Sequence, residues 1–228
     1  MRRSLAALLC AVILLPVLAR ADVYESTMIL VNKQNSLPSD YVPSDLSYPD
    51  VRYAEGVPES RKQMRAEAAR ALEDMFAAAE KEGIELLGVS GYRSYWTQHD
   101  IYQTRLQEAG EAHVSVYVAQ PGKSEHQTGL AMDLGVAGCT DLTERFADTD
   151  AYRWLTEHAH EYGFIIRYPK DGVQETGYAF EPWHVRYLGA QAANVRASGL
   201  TLEAWYRRKL AGSRLTRQRR FRTGGIFG

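Results

Sequence analysis

The stretch SEHQTGLAMDLG, residues 124–135, places His126 and Asp133 among small and apolar residues. Polar side chains in such surroundings need a partner, because burying an unpaired polar group costs free energy. A catalytic zinc site takes three protein ligands, drawn from histidine, carboxylate and cysteine side chains, and leaves a fourth position for water or substrate. His126 and Asp133 would supply a nitrogen and an oxygen ligand to such a site.

The third ligand is expected to be one of the remaining histidines. His158 and His160 lie two positions apart on a predicted helix, so they point about 200° from each other and cannot bind one ion together. His99 and His113 lie in polar stretches that favour exposure. His184, in FEPWHVRY, is flanked by aromatic residues and enters a predicted strand, which suits a rigid ligand.

A carboxylate accompanies this histidine, because Glu181 lies three residues before His184. A carboxylate beside a metal site can accept a proton from attacking water and pass it to a leaving amine. Each residue also has an ordinary explanation: His126 as a hydrogen-bonded loop histidine, Asp133 as a capping residue, and Glu181 before Pro182 as part of a surface turn. Spacing and surroundings alone leave both interpretations open.

Hydrophobic periodicity predicts the elements that would position these residues. The 124–135 stretch is expected to be a loop, and residues 30–50 an extended lead-in. Helices before strands, and strands close together late in the chain, predict an α+β fold. The predicted fold is a single compact domain with a small antiparallel sheet flanked by helices, and the zinc site is expected at this sheet. The predicted helices span residues 59–81, 97–109, 149–162 and 201–210, and the predicted strands span 84–90, 163–168 and 183–188.

Residues 1–21 have the layout of a secretory signal peptide, with a basic start, a short apolar run and a small-residue cleavage site. The alternative is an uncleaved anchor, for which the apolar run is short, since a spanning helix needs about 20 residues. The protein is therefore expected to be exported, periplasmic or extracellular, and associated with the cell envelope. Residues 22–206 form the predicted catalytic domain.

The C-terminal stretch, residues 207–228, has eight basic and no acidic residues, whereas residues 22–206 have 16 basic against 28 acidic ones. It is poorly periodic and is expected to be mostly disordered. A basic arm can bind nucleic acid, but an exported protein meets anionic envelope polymers instead, so no nucleic-acid partner is expected. Two alternatives remain for this tail: it contacts such polymers, or it has no partner.

Three blocks closely resemble the signature blocks of the VanY-type D-alanyl-D-alanine carboxypeptidases. These zinc peptidases trim peptidoglycan stem peptides and share a fold with L,D-carboxypeptidases and VanX-like dipeptidases. The resemblance covers roughly residues 28–205 and leaves out the basic tail. The blocks are SGYRSYWTQ (90–98), SEHQTGLAMDLG (124–135) and GYAFEPWHVRYLG (177–189).

The resemblance implies a role for each matching position. His126, Asp133 and His184 would be the Zn²⁺ ligands, and Glu181 the general base and acid. Arg93 would stabilise charge on the scissile carbonyl or bind the terminal carboxylate of the substrate, and its planar fork of donors suits either task. The family positions that line the substrate pocket correspond to Gln98, Ser124 and Tyr168.

The implied function is that of a secreted zinc carboxypeptidase. It would remove the C-terminal D-alanine from peptidoglycan stem peptides, with Glu181 as the general base. One alternative is an L,D-carboxypeptidase that acts on tetrapeptide stems. A second is a non-catalytic wall-binding module, which the basic tail favours. The retained Glu181 favours an enzyme over a binding module.

Overall fold

The computed structural model describes residues 26–223, and the side chains of residues 26–212. The predicted signal peptide, residues 1–21, lies outside the described residues. Within the described range, no helix is both long enough and apolar enough to cross a membrane.

The described chain alternates short strands with helices. The strands are β1 (Leu46–Ser47), β2 (Met64–Arg65), β3 (Leu87–Ser90), β4 (Ala131–Gly135), β5 (Phe164–Tyr168) and β6 (Glu181–Tyr187). The α-helices are α1 (Ala66–Lys81), α2 (Tyr95–Tyr117), α3 (Asp150–His158), α4 (Val173–Thr176), α5 (Ala192–Ser198) and α6 (Leu202–Thr223).

The central sheet has the strand order β3-β4-β6-β5, and every neighbouring pair is antiparallel. Strands β1 and β2 form a separate two-stranded sheet. The predicted α+β fold with a small antiparallel sheet is therefore confirmed. Because β4 and β6 are the two inner strands, side chains that project from them are held by pairing on both sides.

Helix α1 packs its apolar face into the main core. Its buried positions follow the predicted helical spacing and are Ala68, Ala69, Leu72, Met75, Phe76 and Ala79. Full burial of a side chain such as Leu72 contributes about 1.5–3 kcal/mol. The predicted start of this helix at residue 59 is wrong: Glu59–Arg61 is a 3-10 turn, and Met64–Arg65 pairs with β1. Met64 is buried as a strand residue, which the apolar spacing could not distinguish from a helical one.

The 124–135 stretch is also more regular than predicted. Instead of a loop, it contains a 3-10 turn, Glu125–Thr128, followed by β4. All five residues of β4 are buried. An inner strand covered on both faces lacks the alternation of polar and apolar residues by which a strand is recognised.

The two longest helices extend beyond their predicted ends. Helix α2 continues to Tyr117 across a kink at Gly110, whose φ of 78° is non-helical. Helix α6 continues to Thr223, beyond the predicted end at residue 210. This stretch is rich in Arg, which favours helix even where no apolar face is evident.

Candidate metal centre and cleft

The three predicted ligands converge at the middle of the sheet. One ligand atom from each of His126, Asp133 and His184 lies within 4.8 Å of the others, and all three residues are buried. Asp133 on β4 is directly paired with His184 on β6. His126 belongs to the 3-10 turn that leads into β4. Strand pairing and one tight turn thus bring together residues that are far apart in sequence.

The hydrogen bonds of the two histidines leave ring nitrogens that are suited to bind a zinc ion. His126 Nδ1 donates to the carbonyl oxygen of Gly91 at 2.7 Å, which leaves Nε2 unprotonated in the neutral ring. That Nε2 lies 3.2 Å from Asp133 Oδ2 and, among the described residues, has no hydrogen-bond partner. On the other side, His184 Nδ1 lies 3.0 Å from Asp133 Oδ1. Two imidazole nitrogens around one carboxylate form a donor set that Zn²⁺ prefers.

The ligand charges depend on one another. Burial opposes a charge on Asp133, but His126 and His184 outweigh it and hold the carboxyl pKa well below its usual range. Burial lowers the pKa of His126 to about 4, helped by the charge of Arg93. Burial also opposes a charge on His184, but the neighbouring carboxylates of Asp133 and Glu125 outweigh it and raise the pKa to about 9. In the metal-free protein at neutral pH, His184 therefore carries a proton that a metal ion would displace.

Glu181 reaches the centre through an irregularity in β6. Residues three apart on a regular strand project from opposite faces. The register shifts, however, between the pairs Ile166↔Val185 and Tyr168↔Glu181, so that the β6 side is longer. Such a bulge re-aims side chains. As a result, Glu181 Oε2 lies 3.6 Å from His184 Nδ1.

Glu181 has the properties of a general base. Burial raises the pKa of its carboxyl group to about 7, and the nearby Asp133 charge acts in the same direction. A base whose pKa lies near the working pH combines a useful ionised fraction with a good affinity for the proton. Near neutral pH this carboxylate can therefore both take up and release a proton.

Arg93 lies on the loop between β3 and α2. Its backbone N–H donates to the carbonyl oxygen of His126, and the Ser94 side chain caps α2 by accepting from the Thr97 N–H. Arg93 Nη2 lies 3.4 Å from Asp133 Oδ2. Its Nε is buried and has no hydrogen-bond partner in the part of the chain that the structure describes. The guanidinium therefore has donors available for a substrate oxygen.

The ligands and Arg93 line an open cleft of about 770 Å³. The predicted substrate residues Gln98, Ser124 and Tyr168 line it too. Gln98 Nε2 donates to the carbonyl oxygen of Ala119 at 2.8 Å, while its Oε1 has no partner within the described range. The ring of Tyr168 lies 5.0 Å, centroid to centroid, from that of His184. The structure thus brings all eight predicted site residues to one cleft.

Sequence reasoning missed Glu125, which also lines the cleft and is fully buried. Its carboxylate is bound by Arg167 and Arg186, which lie 42 and 61 residues further along the chain. A charged residue next to His126 is not unusual in a sequence. The position of Glu125 within a block of small and apolar residues was the one sign in the sequence that it is buried. Its arginine partners, however, follow only from the strand order.

Three convergent side chains that could bind one metal ion, an adjacent carboxylate of raised pKa and an open cleft are the arrangement found in mononuclear metallohydrolases. The sequence model of the VanY family, described as D-alanyl-D-alanine carboxypeptidase, matches residues 61–190. The chain belongs to this family, which confirms the resemblance seen in the sequence blocks.

Similar proteins agree with this assignment. The Bacillus subtilis protein YodJ is 47% identical over 184 residues, a match that covers 80% of this chain and 67% of YodJ. The structure of the LdcB LD-carboxypeptidase, described as revealing peptidoglycan recognition, superposes with a TM-score of 0.76 at 46% identity, covering 81% of this chain and 87% of that one. A mutant of the D,D-pentapeptidase VanY from a VanB-type resistance cassette, in complex with Zn(II), gives a TM-score of 0.64 at 33% identity, covering 79% and 98%.

Proposed function

We propose that the protein is a zinc-dependent carboxypeptidase that removes the C-terminal D-alanine from peptidoglycan stem peptides. The observation that carries this proposal is the convergence of His126, Asp133 and His184 beside Glu181 at an open cleft. The Zn(II) complex of the related VanY and the peptidoglycan recognition described for LdcB support the metal and the substrate class.

His126, Asp133 and His184 would hold the ion, with His126 bound through Nε2. Zinc at this position would polarise the scissile carbonyl and lower the pKa of water to about 7. Glu181 then accepts a proton as water attacks the carbonyl carbon. It returns this proton to the nitrogen of the leaving D-alanine, so one carboxyl group acts first as base and then as acid.

Arg93 stabilises negative charge that develops on the substrate. Its buried guanidinium beside Asp133 needs little reorganisation to donate to an oxyanion or to a terminal carboxylate. Gln98 Oε1 and the Ser124 hydroxyl offer further polar contacts along the cleft, and Tyr168 supplies an aromatic wall. These contacts would orient the end of the stem peptide relative to Glu181.

The preferred cleavage is that of a D-alanyl-D-alanine bond, which the description of the family supports. A second candidate is L,D-cleavage of tetrapeptide stems, because identity with the LdcB LD-carboxypeptidase is 46%, against 33% with VanY. Both reactions release D-alanine and need the same metal and base. They differ in the configuration and size of the residue on the other side of the bond.

The site of action is proposed to be the cell envelope. The signal-peptide pattern of residues 1–21 supports export, and the basic stretch 207–228 supports contact with anionic envelope polymers. Neither is needed for the chemistry of the cleft.

Purified protein incubated with pentapeptide and tetrapeptide stems, with products identified by mass spectrometry, tests the function. We expect about one equivalent of zinc and release of D-alanine, mainly from the pentapeptide. The variant Asp133→Ala should lose most of the zinc and the activity, whereas Asp74→Ala, on the exposed side of α1, should keep both. Release mainly from the tetrapeptide would establish the L,D candidate. Full zinc content in a His126→Ala, His184→Ala double variant would refute the metal site.

A further inference from the structure

We propose that Glu125 is a positioning residue, which holds His184 in the tautomer whose Nδ1 is free to bind the metal ion. This inference rests on the proposed zinc site and adds a residue to it. Metal-binding histidines usually donate their second ring N–H to a carboxylate or a carbonyl oxygen, which fixes the tautomer and the orientation of the ring.

The two ligand histidines are oriented by different groups. His126 donates from Nδ1 to the carbonyl oxygen of Gly91, so Nε2 faces the centre. For His184 the order is reversed, since Nδ1 faces Asp133 Oδ1 at 3.0 Å and Nε2 points to Glu125 Oε2 at 3.4 Å. Among the described residues, neither His184 Nε2 nor Glu125 Oε2 makes a hydrogen bond, and the two atoms lie within ion-pair distance of each other. Each is therefore the natural partner of the other.

The Glu125 carboxylate is itself fixed. Its Oε1 accepts from Arg167 Nε at 2.7 Å and from Arg186 Nη1 at 2.6 Å. The side chains of all three residues are 0% exposed. A buried carboxylate is costly unless its charge is paired and its oxygens are hydrogen-bonded. Two arginines on Oε1 satisfy that requirement and leave Oε2 directed at the histidine.

Arg167 connects this carboxylate to the C-terminal helix. Arg167 donates from Nη1 and Nη2 to both carboxylate oxygens of Glu203 on α6, at 2.9 and 2.6 Å. Asn32 Nδ2 also donates to Glu203, at 3.1 Å. Glu203 therefore shares the buried network with Glu125 but is separated from the histidine by Arg167. It provides a matched control for the loss of one buried negative charge.

The variant Glu125→Gln has a predictable consequence for the tautomer. Both arginines can only donate, so the single amide oxygen stays with them. The amide NH₂ then faces His184 Nε2, where it favours a ring that accepts at Nε2 and carries its proton on Nδ1. Because Nδ1 is the nitrogen next to Asp133, this tautomer opposes metal binding. Replacing a histidine-orienting carboxylate by an amide has this effect in the serine protease triad.

Competition with a chelator measures the zinc affinity of the wild type, Glu125→Gln and Glu203→Gln at one pH. Loss of such an outer partner lowers metal affinity by about 10- to 100-fold, and we expect this range for Glu125→Gln. Glu203→Gln should lose stability, seen as a lower Tm, but change zinc affinity by less than about tenfold, the lower end of that range, because Glu203 binds the intervening Arg167 instead of His184. Equal zinc affinities in the two variants would overturn the positioning role while leaving the zinc site intact.

A second measurement needs no variant and covers the case in which Glu125→Gln does not fold. In ¹⁵N-histidine NMR spectra of the zinc-loaded wild type, we expect His126 to carry its proton on Nδ1 and His184 to carry its proton on Nε2. A zinc-loaded protein in which His184 carries its proton on Nδ1 would overturn the inference alone. A wild type that binds no zinc would overturn the proposed function as well.

Discussion

Replacing Glu181 with glutamine should separate the general base from the metal ligands. Glutamine keeps the size and shape of the side chain but cannot accept a proton at its amide. Glu181 Oε2 lies 3.6 Å from His184 Nδ1, beside the three ligand groups rather than among them. We therefore expect Glu181→Gln to keep its zinc and to lose about 100- to 10,000-fold in turnover, the range for general acid–base catalysis.

The same substitution should stabilise the metal-free protein. Burial raises the pKa of Glu181 from 4.5 to about 7. Between these values the folded protein holds a proton that the unfolded chain releases, so stability falls as the pH rises through this window. At pH 7 and above, the ionised carboxylate costs about 3 kcal/mol at most. Glutamine removes this cost, so its advantage over the wild type should grow from pH 5 to pH 7 and then level off.

Three measurements test these expectations. Steady-state assays on stem peptides give the turnover, zinc analysis gives the metal content, and chemical denaturation of chelator-treated protein gives the stability of the metal-free form. Glu55→Gln, which removes an exposed carboxylate, is the control and should match the wild type in all of them. Loss of zinc in Glu181→Gln would make Glu181 a ligand and require a new assignment for Asp133. Turnover close to that of the wild type would refute its role as the base.

Three further predictions concern the surroundings of the ligands. Arg93→Lys keeps the charge but loses the planar fork, so kcat/KM should fall about 10- to 1,000-fold; near wild-type kinetics would place Arg93 outside the site. In Gly91→Ala the new Cβ would lie 2.5 Å from the carbonyl oxygen of Gln63, so residue 91 must shift, and with it its own carbonyl oxygen, which orients His126. Thermal unfolding should show a loss of about 1–3 kcal/mol, against no loss for Gly212→Ala, whose Cβ meets nothing within 4 Å. The pKa of His184 is about 9 without metal, so below pH 9 zinc must displace one proton from this histidine. The apparent affinity of the protein for zinc should therefore rise about tenfold per pH unit from pH 6 to pH 8. A zinc affinity that does not change with pH in chelator competition would contradict this protonation state.

The sequence by itself was informative wherever a short block carried the chemistry. The blocks around Arg93, His126 and His184 indicated the family, which the family match confirms. The apolar spacing of residues 68–79 predicted the buried face of α1, because a helix repeats every 3.6 residues whatever it packs against. Local patterns of this kind depend on neighbours in the chain, so they are readable from the chain alone.

Patterns were less informative where tertiary contacts replace them. Strand β4 was predicted to be a loop because, buried on both faces, it shows no alternation. The first turn of α1 was misplaced because Met64 is buried through a strand contact. In both cases the burial that stabilises the segment comes from residues distant in the sequence.

At the metal centre, residue types suggested which side chains could bind zinc, and the fold decides how they do so. The pairing of Asp133 with His184 follows from the antiparallel register of β4 and β6. The approach of Glu181 follows from a bulge, and the contact between Glu125 and His184 from two arginines on neighbouring strands. Ligand identity is a property of single side chains, whereas their distances, protonation and tautomers depend on pairing across the sheet, which only the tertiary structure decides.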